Sequence, residues 1–234
     1  MNIISKNKLL ITLCITLIFS ACMQVKSKDN DGVGLKSKKI GKSEWTVTNF
    51  NLKTFRNGDN IPLVSTCQDW SQAGNMMRPA CCYLDFDSTN SELGLFYNWY
   101  AINDARELAP EGWMVPSEDD YLSLVESFGG EKDAGKKLKS TSGWIYLQGD
   151  NSSGFNFLGI GTILNYNDST DCSFAYKGEY SSLWTSTPVE FDYSDEPSLK
   201  AYGLFITFDG GDNSAKLFLN SYQHKGCLVR LIKE

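Results

Sequence analysis

The sequence has few of the residues from which catalytic and metal sites are usually built. It contains one histidine, His224, and no C-x2-C pair, which disfavours a zinc site. The G-x-S-x-G, P-loop and H-E-x-x-H motifs are also absent. No two carboxylates stand out as an acid–base couple, although the two acids of a glycosidase can lie far apart in sequence. We therefore predict no catalytic residue, no metal ligand and no cofactor, and we favour a protein that is not an enzyme.

The sequence also lacks an excess of basic residues. It has 22 lysines and arginines against 28 aspartates and glutamates, a formal net charge of −6, and no basic stripe. Nucleic-acid binding depends on basic side chains that contact phosphates. We therefore predict that nucleic acid is not a partner.

Long apolar runs are absent except at the beginning of the chain. Residues 9–19 are almost all apolar, but a membrane-spanning helix needs about 20 such residues. Lys6 and Lys8 precede this run, and Ser20 and Ala21 follow it. A short apolar run with these flanks is typical of a secretory signal peptide, which we assign to residues 1–21.

The end of the signal peptide resembles the lipobox of bacterial lipoproteins. Two small residues precede Cys22, although Phe19 stands where leucine is usual. The resemblance implies cleavage before Cys22, palmitate-type acyl chains on it and a membrane as partner. Since each buried methylene contributes about 0.8 kcal/mol, several chains anchor a protein durably. We expect a cell-envelope protein, in the outer membrane, on its periplasmic or its surface side. The alternative is an ordinary signal peptide that leaves Cys22 unmodified.

Residues 22–39 are polar and lack hydrophobic periodicity, so they are predicted to form a flexible tether. The globular domain then covers residues 40–234, a length that can bury one core. Five cysteines fall within it: Cys67, Cys81, Cys82, Cys172 and Cys227. Disulfides are permitted outside the cytosol, and an odd number leaves at least one cysteine unpaired. We expect Cys67 to pair with Cys81 or Cys82, and Cys172 with Cys227.

Local patterns predict helices in the first half of the domain and strands in the second. Helices are expected at residues 97–106 and 134–139, and another after Ser117, an N-cap residue followed by an acidic first turn. Strands are expected at residues 45–48, 155–164, 183–187, 201–208, 215–220 and 227–232, with a hairpin loop at 209–213. This order of elements predicts an α+β fold.

A series of motifs resembles the Fibrobacter succinogenes major paralogous domain of bacterial envelope proteins. The motifs are Ile40-Gly41, Trp45, Asn49, N-G-D-N-I-P at 57–62, Y-N-W-Y-A-I-N-D at 97–104, L-A-P-E-G-W-M-V-P-S at 108–117, Ala134-Gly135, Lys137-Leu138-Lys139, Gly143-Trp144, Gly154-Phe155, Trp184-Thr185-Ser186, Gly226 and Val229-Arg230. They span nearly all of residues 40–234. The family usually has cysteine directly after the Val-Arg pair, whereas this chain has Leu231 there.

The resemblance implies a C-type-lectin-like fold, with two main helices packed on short antiparallel strands. Trp99, Trp113, Trp144 and Trp184 are interpreted as core residues, and the polar motif residues as loop caps. A fold of this kind does not specify an activity. We favour a non-catalytic binding or adhesion module for a glycan or an envelope protein. The alternatives are an enzyme related to formylglycine-generating enzymes, with Cys172 and Cys227 as its thiols, and a structural assembly subunit.

Two acidic segments are the predicted ligand-binding residues. They are Glu190, Asp192, Asp195 and Glu196 in one loop, and Asp209, Asp212 and Asn213 in the predicted hairpin. C-type lectins that bind sugar through calcium use a Glu-Pro-Asn or Gln-Pro-Asp tripeptide, and Glu196-Pro197 matches only its first two positions. Oxygen-rich loops can hold calcium, but a solvated acidic loop is the interpretation we favour.

Overall fold

Three antiparallel sheets form most of the fold in the computed structural model, which describes residues 34–164, 172–189, 203–220 and 225–234. The first sheet contains, from edge to edge, Ser37–Ile40 (β1), Ser43–Thr46 (β2), Ile232–Lys233 (β12) and Trp113–Met114 (β5). The second contains Cys81–Cys82 (β3), Phe96–Asn98 (β4), Gly226–Cys227 (β11), Thr162–Leu164 (β6) and Ser173–Ala175 (β7). The third contains Ala215–Asn220 (β10), Gly203–Asp209 (β9) and Tyr180–Trp184 (β8).

The helices are short. The described α-helices are Cys67–Asn75 (α1), Trp99–Ile102 (α2), Glu118–Ser127 (α3) and Ala134–Leu138 (α4), and 3₁₀ turns cover Leu84–Phe86 and Ser88–Leu93. The predicted fold, an α+β arrangement of two main helices packed on strands, is therefore wrong, because antiparallel sheet dominates. None of the helices that the structure describes is long and apolar enough to pass through a bilayer.

The helix predicted at residues 97–106 is the clearest local error. Tyr97 lies in β4, where it pairs with Cys81 on one side and Cys227 on the other. The Oδ1 atom of Asn98 accepts hydrogen bonds from the N–H groups of Ala80 and Ala101, both at 3.1 Å. The first bond ties the neighbouring chain to β4, and the second caps α2. The aromatic run therefore serves a buried central strand, and only one helical turn follows it.

Helix α3 begins as predicted. Ser117 is its N-cap, and the Ser117 and Asp120 side chains form a capping box. Tyr121, Leu124 and Val125 are the buried residues of this helix, whereas Leu122 is 44% exposed. The stretch at 134–139 is also helical, over Ala134–Leu138.

The predicted strands of the second half are only partly present. β9 and β10 pair in register through the predicted hairpin. The strand predicted at 155–164 is confined to β6, because Phe155 and Phe157 enter the core from irregular backbone, with Asn156 between them at a φ of 53°. The predicted terminal strand is split into β11 and β12, which belong to different sheets.

Arg230 lies between β11 and β12 and is 1% exposed. Its Nε donates to Oδ1 of Asn49 at 2.8 Å, and its Nη1 to the carbonyls of Thr46 and Phe155 at 2.9 and 3.1 Å. Its Nη2 donates to the carbonyl of Asn156 at 3.3 Å. Burial lowers the pKa of Arg230 to about 9, which still leaves the guanidinium charged at neutral pH. One side chain thus joins the beginning, middle and end of the domain.

All six tryptophans are buried, including the four interpreted as core residues. Trp45 packs on Tyr121 of α3 with ring centroids 5.2 Å apart, and Trp99 packs on Trp184 at 5.6 Å. The two pairs belong to two separate clusters of buried apolar residues. The core interpretation of the motif tryptophans is therefore confirmed.

We predict that Arg230→Met lowers the free energy of unfolding by about 3 kcal/mol, because the buried acceptors around the guanidinium lose their donors. Urea unfolding followed by tryptophan fluorescence measures this change. Lys233→Met is the matched control, since Lys233 is an exposed cation three residues away and should change stability little. Equal stability of Arg230→Met and wild type would contradict the structural role assigned to Arg230.

Candidate ligand-binding site

The outward face of the three-stranded sheet forms the floor of a pocket. Strand register places Ser182 opposite Thr207, and Phe205 opposite Phe218. The Ser182 and Thr207 hydroxyls are 3.0 Å apart, and the two phenylalanine rings stack with centroids 5.9 Å apart. Because side chains alternate along a strand, the intervening Ile206 faces the core and is 0% exposed.

The second sheet supplies the other side of the pocket. Thr162 and Leu164 of β6 line this side. Tyr176, which follows β7, and Tyr180 of β8 also line the pocket, whose volume is about 320 Å³. The two tyrosine rings meet edge to face at a centroid distance of 5.3 Å. Tyr176 is 44% exposed and Phe218 is 47% exposed. The pocket therefore combines partly exposed aromatic rings with hydroxyl groups.

Lys225, directly before β11, also lines the pocket and is only 6% exposed. Its Nζ lies 4.1 Å from the centroid of the Phe205 ring. Burial lowers the pKa of Lys225, because the ammonium loses hydration, and interaction with Cys227 opposes that shift. Within the described residues, no carboxylate forms an ion pair with this lysine.

Gly226 holds the backbone that carries Lys225. Its carbonyl accepts a hydrogen bond from Oγ1 of Thr162 at 2.8 Å. A Cβ atom at this position would lie 2.7 Å from the Trp70 ring and 2.9 Å from Cδ1 of Ile163. Since neither buried neighbour has room to move, the position requires glycine. The motif glycine thus fixes where the lysine enters the pocket.

Asp209, Asp212 and Asn213, predicted to bind ligand, lie at the end of β9 and in the loop before β10. Oδ1 of Asp209 accepts a hydrogen bond from the N–H of Gly211, and Oδ1 of Asp212 accepts one from Ser214, both at 2.6 Å. These bonds shape the hairpin. Several other predicted residues lie outside the described residues: Cys22, Glu190, Asp192, Asp195, Glu196 and His224.

The hairpin encloses a buried cation. Nζ of Lys139 donates to the carbonyls of Leu147, Asp209 and Asp212 at 2.9, 2.8 and 2.7 Å. It also lies 5.0 Å from the centroid of the Trp144 ring. The ammonium of Lys139 thus already occupies the backbone carbonyls of Asp209 and Asp212, which are the kind of oxygen ligand that a metal cation in this hairpin would use. In the part of the chain that the structure describes, no group of three or more His, Cys, Asp or Glu residues could hold a metal ion.

The disulfide pairing differs from the prediction. Cys67, at the beginning of α1, is bonded to Cys172, directly before β7. The pairs expected from the sequence, Cys67 with Cys81 or Cys82 and Cys172 with Cys227, are therefore wrong. Cys81 and Cys82 are not bonded to each other and belong to different core clusters.

The three remaining thiols are buried. Cys81 and Cys227 pair with Tyr97 from opposite sides of β4, so a whole strand separates them. Burial raises the pKa of Cys81 to about 12 and that of Cys227 to about 11. Because the thiolate is the reactive form, these groups are poor nucleophiles. The paired late thiols required by the enzyme alternative are therefore missing, since Cys172 is held in the disulfide.

A second pocket of about 330 Å³ lies beside the motif residues of 97–117. Its charged groups are already paired. Arg56 forms ion pairs with Glu107 and Glu234, and Asp104 forms one with Arg106 at 2.8 Å. The interpretation of Asp104 as a loop-stabilising residue agrees with this geometry. The pocket in front of Lys225 is therefore the stronger candidate.

Sequence reasoning missed this pocket. The alternation of Phe205 and Thr207 with Ile206 and Phe208 predicts a strand, but it does not indicate which other segment faces the outward side of that strand. Lys225 follows a polar segment and looks like an ordinary solvated lysine. Only the meeting of two sheets shows that it is buried beside aromatic rings.

A known protein family matches nearly the whole domain, in agreement with the motifs found in the sequence. The family model described as the Fibrobacter succinogenes major domain matches residues 39–233. The chain belongs to this family. No curated protein and no solved structure matches it. The Fibrobacter succinogenes major domain assignment confirms the resemblance seen in the motifs and leaves activity and ligand to be argued from the pocket.

We predict that Lys225→Met raises the free energy of unfolding at about pH 6, because it removes a buried charge. A lysine with a lowered pKa costs stability while it is protonated in the folded state. That cost disappears as the pH rises from the lowered pKa to the ordinary value of 10.5. The stability difference between variant and wild type should therefore shrink towards about pH 10.

Urea unfolding across this pH range measures the difference between the two proteins. Lys216→Met is the control, because Lys216 lies opposite Thr207 in the three-stranded sheet and carries the same charge but does not line the pocket. Tyr180, whose pKa is raised chiefly by Asp209, also makes stability depend on pH. Because it is present in both proteins, its contribution cancels in the difference between variant and wild type. A difference that stays constant with pH would contradict the assigned burial of Lys225.

Proposed function

We propose that this protein is a lipid-anchored binding module of the bacterial cell envelope and that its pocket takes a saccharide. The observation that carries the proposal is the pairing of exposed rings with hydroxyls in one pocket. Tyr176 and Phe218 offer partly exposed rings, and the hydrogen-bonded pair of Ser182 and Thr207 supplies hydroxyl groups, with Ser182 itself 2% exposed. A sugar presents the same two kinds of surface, C–H faces and hydroxyl edges.

The size of the pocket supports a small ligand. Its volume of about 320 Å³ falls at the lower end of the range of about 300–1,000 Å³ found for ligand pockets. Such a volume suits one or two sugar units better than a protein segment. Aromatic side chains give the contact area, and the few polar groups fix the orientation of the ligand.

The chemistry of the lining supports binding rather than glycoside cleavage. The residues that line the pocket include no aspartate, glutamate, histidine or cysteine in the described part of the chain. Glycoside hydrolysis ordinarily requires two carboxyl groups on opposite sides of the scissile bond. An adhesion or capture role needs only the complementary surface that the pocket provides.

Two observations support the envelope location. The sequence around Cys22 has the form of a lipoprotein cleavage site, with Lys6 and Lys8 before the apolar run. The disulfide between Cys67 and Cys172 belongs to a compartment more oxidising than the cytosol. We place the anchored protein at the outer membrane, with the glycan or an envelope protein that carries it as partner.

We predict that Tyr180→Ala and Phe218→Ala each weaken glycan binding by about tenfold, because each removes a ring from the pocket. A glycan array probed with the purified protein selects the ligand, and calorimetry measures its affinity. Tyr146→Ala is the matched control, since Tyr146 is 64% exposed and lies outside the pocket.

The same calorimetric comparison can refute the assigned pocket. An equal loss in the Tyr146 variant would place binding elsewhere on the surface. Silence on glycan arrays together with a response on envelope-protein arrays would overturn the saccharide assignment.

We predict that Cys22→Ser releases the protein from the membrane fraction and abolishes incorporation of labelled palmitate, because the acyl chains lose their attachment atom. Cys14→Ser is the control, since Cys14 lies within the predicted signal peptide and should not affect anchoring. Fractionation and intact-mass spectrometry measure both properties. An unacylated wild-type protein that retains its initiator methionine would refute the anchor.

A further inference from the structure

Two lysines are buried in the described part of the domain, and their surroundings differ. Lys139 is 0% exposed and donates to three carbonyl oxygens. Lys225 is 6% exposed, and the contact that the structure shows for its ammonium is the face of the Phe205 ring. The first lysine is satisfied as part of the scaffold. The second has a charge that the described residues do not neutralise, and it lies in the wall of a pocket.

A buried charge without a partner is costly, so proteins usually pair it with an opposite charge or several hydrogen bonds. At Lys225 the cost of removing the ammonium from water is met during folding. An anion that enters the pocket therefore gains attraction to a cation that is already desolvated. A neutral ligand gains nothing comparable. The position of the lysine thus gives the pocket a preference by charge.

We propose that the pocket selects an acidic saccharide, with the carboxylate of the sugar bound by the ammonium of Lys225. This inference rests on the proposed function and specifies its ligand class. The ring of the sugar packs on Tyr176, Tyr180 and Phe218, and its hydroxyls meet Ser182 and Thr207. Among the described residues, the lining contains no carboxylate that would meet the acid directly.

Three pairs of probes isolate the charge of the sugar from its shape. They are methyl glucuronide with its methyl ester, methyl galacturonide with its methyl ester, and the methyl glycoside of N-acetylneuraminic acid with its methyl ester. Calorimetry on the purified protein at neutral pH measures each pair. In at least one pair the acid should bind about tenfold more tightly than the ester, the size expected of a charge-assisted contact.

Lys225→Met tests the residue itself. The variant should bind acid and ester equally, because the charged contact that distinguishes them has been removed. Lys216→Met should keep the preference of the wild type, although it removes the same charge from the sheet that forms the floor of the pocket. The probe pairs on wild-type protein decide the matter independently if the Lys225 variant does not fold.

The outcomes separate this inference from the proposed function. Equal affinity for acid and ester in every pair that binds would overturn the charge preference and leave saccharide binding intact. A preference that persists in Lys225→Met would overturn the role of this lysine. No binding in any pair, with silence on glycan arrays, would overturn both.

Discussion

The structure depends on a buried guanidinium that is satisfied almost entirely by backbone carbonyls. Arg230 binds the carbonyls of Thr46, Phe155 and Asn156, and its fourth acceptor is the side chain of Asn49. These acceptors lie in irregular backbone or at strand ends, where carbonyls have no ladder partners of their own. A domain of very short strands leaves many such groups. The planar arginine, with five N–H donors, can serve four acceptors at once, whereas the three donors of a lysine ammonium allow one fewer.

The contrast among Arg230, Lys139 and Lys225 separates the scaffold from the site. The first two are surrounded by oxygen acceptors and hold distant segments together. Lys225 has an aromatic face beside it instead, at the edge of a cavity. Natural proteins tolerate a local energetic cost where it serves binding. The least satisfied of the three cations is thus the one that points to function.

The sequence predicted those features that are determined within a few residues. The N-cap of α3 at Ser117 and the hairpin between β9 and β10 need only local chemistry, and both are present. The errors concern elements whose state depends on distant partners. Tyr97 is in a strand because β3 and β11 lie on either side of it, and no periodicity at 97–106 reveals those neighbours. The disulfide joins residues 105 positions apart, so spacing could not identify it. The sequence did not reveal the pocket for the same reason, since its lysine and its rings come from separate sheets.

The placement of β12 has a consequence for the order in which the domain can form. Ile232 pairs with Trp45 in β2 and with Met114 in β5, so the final residues lie between strands from the beginning and the middle of the chain. Until those residues have been synthesised, the first sheet lacks its inner strand and Arg230 has not reached its acceptors. A nascent chain therefore cannot close this sheet early. Under the export that we propose, late closure of this sheet keeps the polypeptide threadable until β12 has emerged.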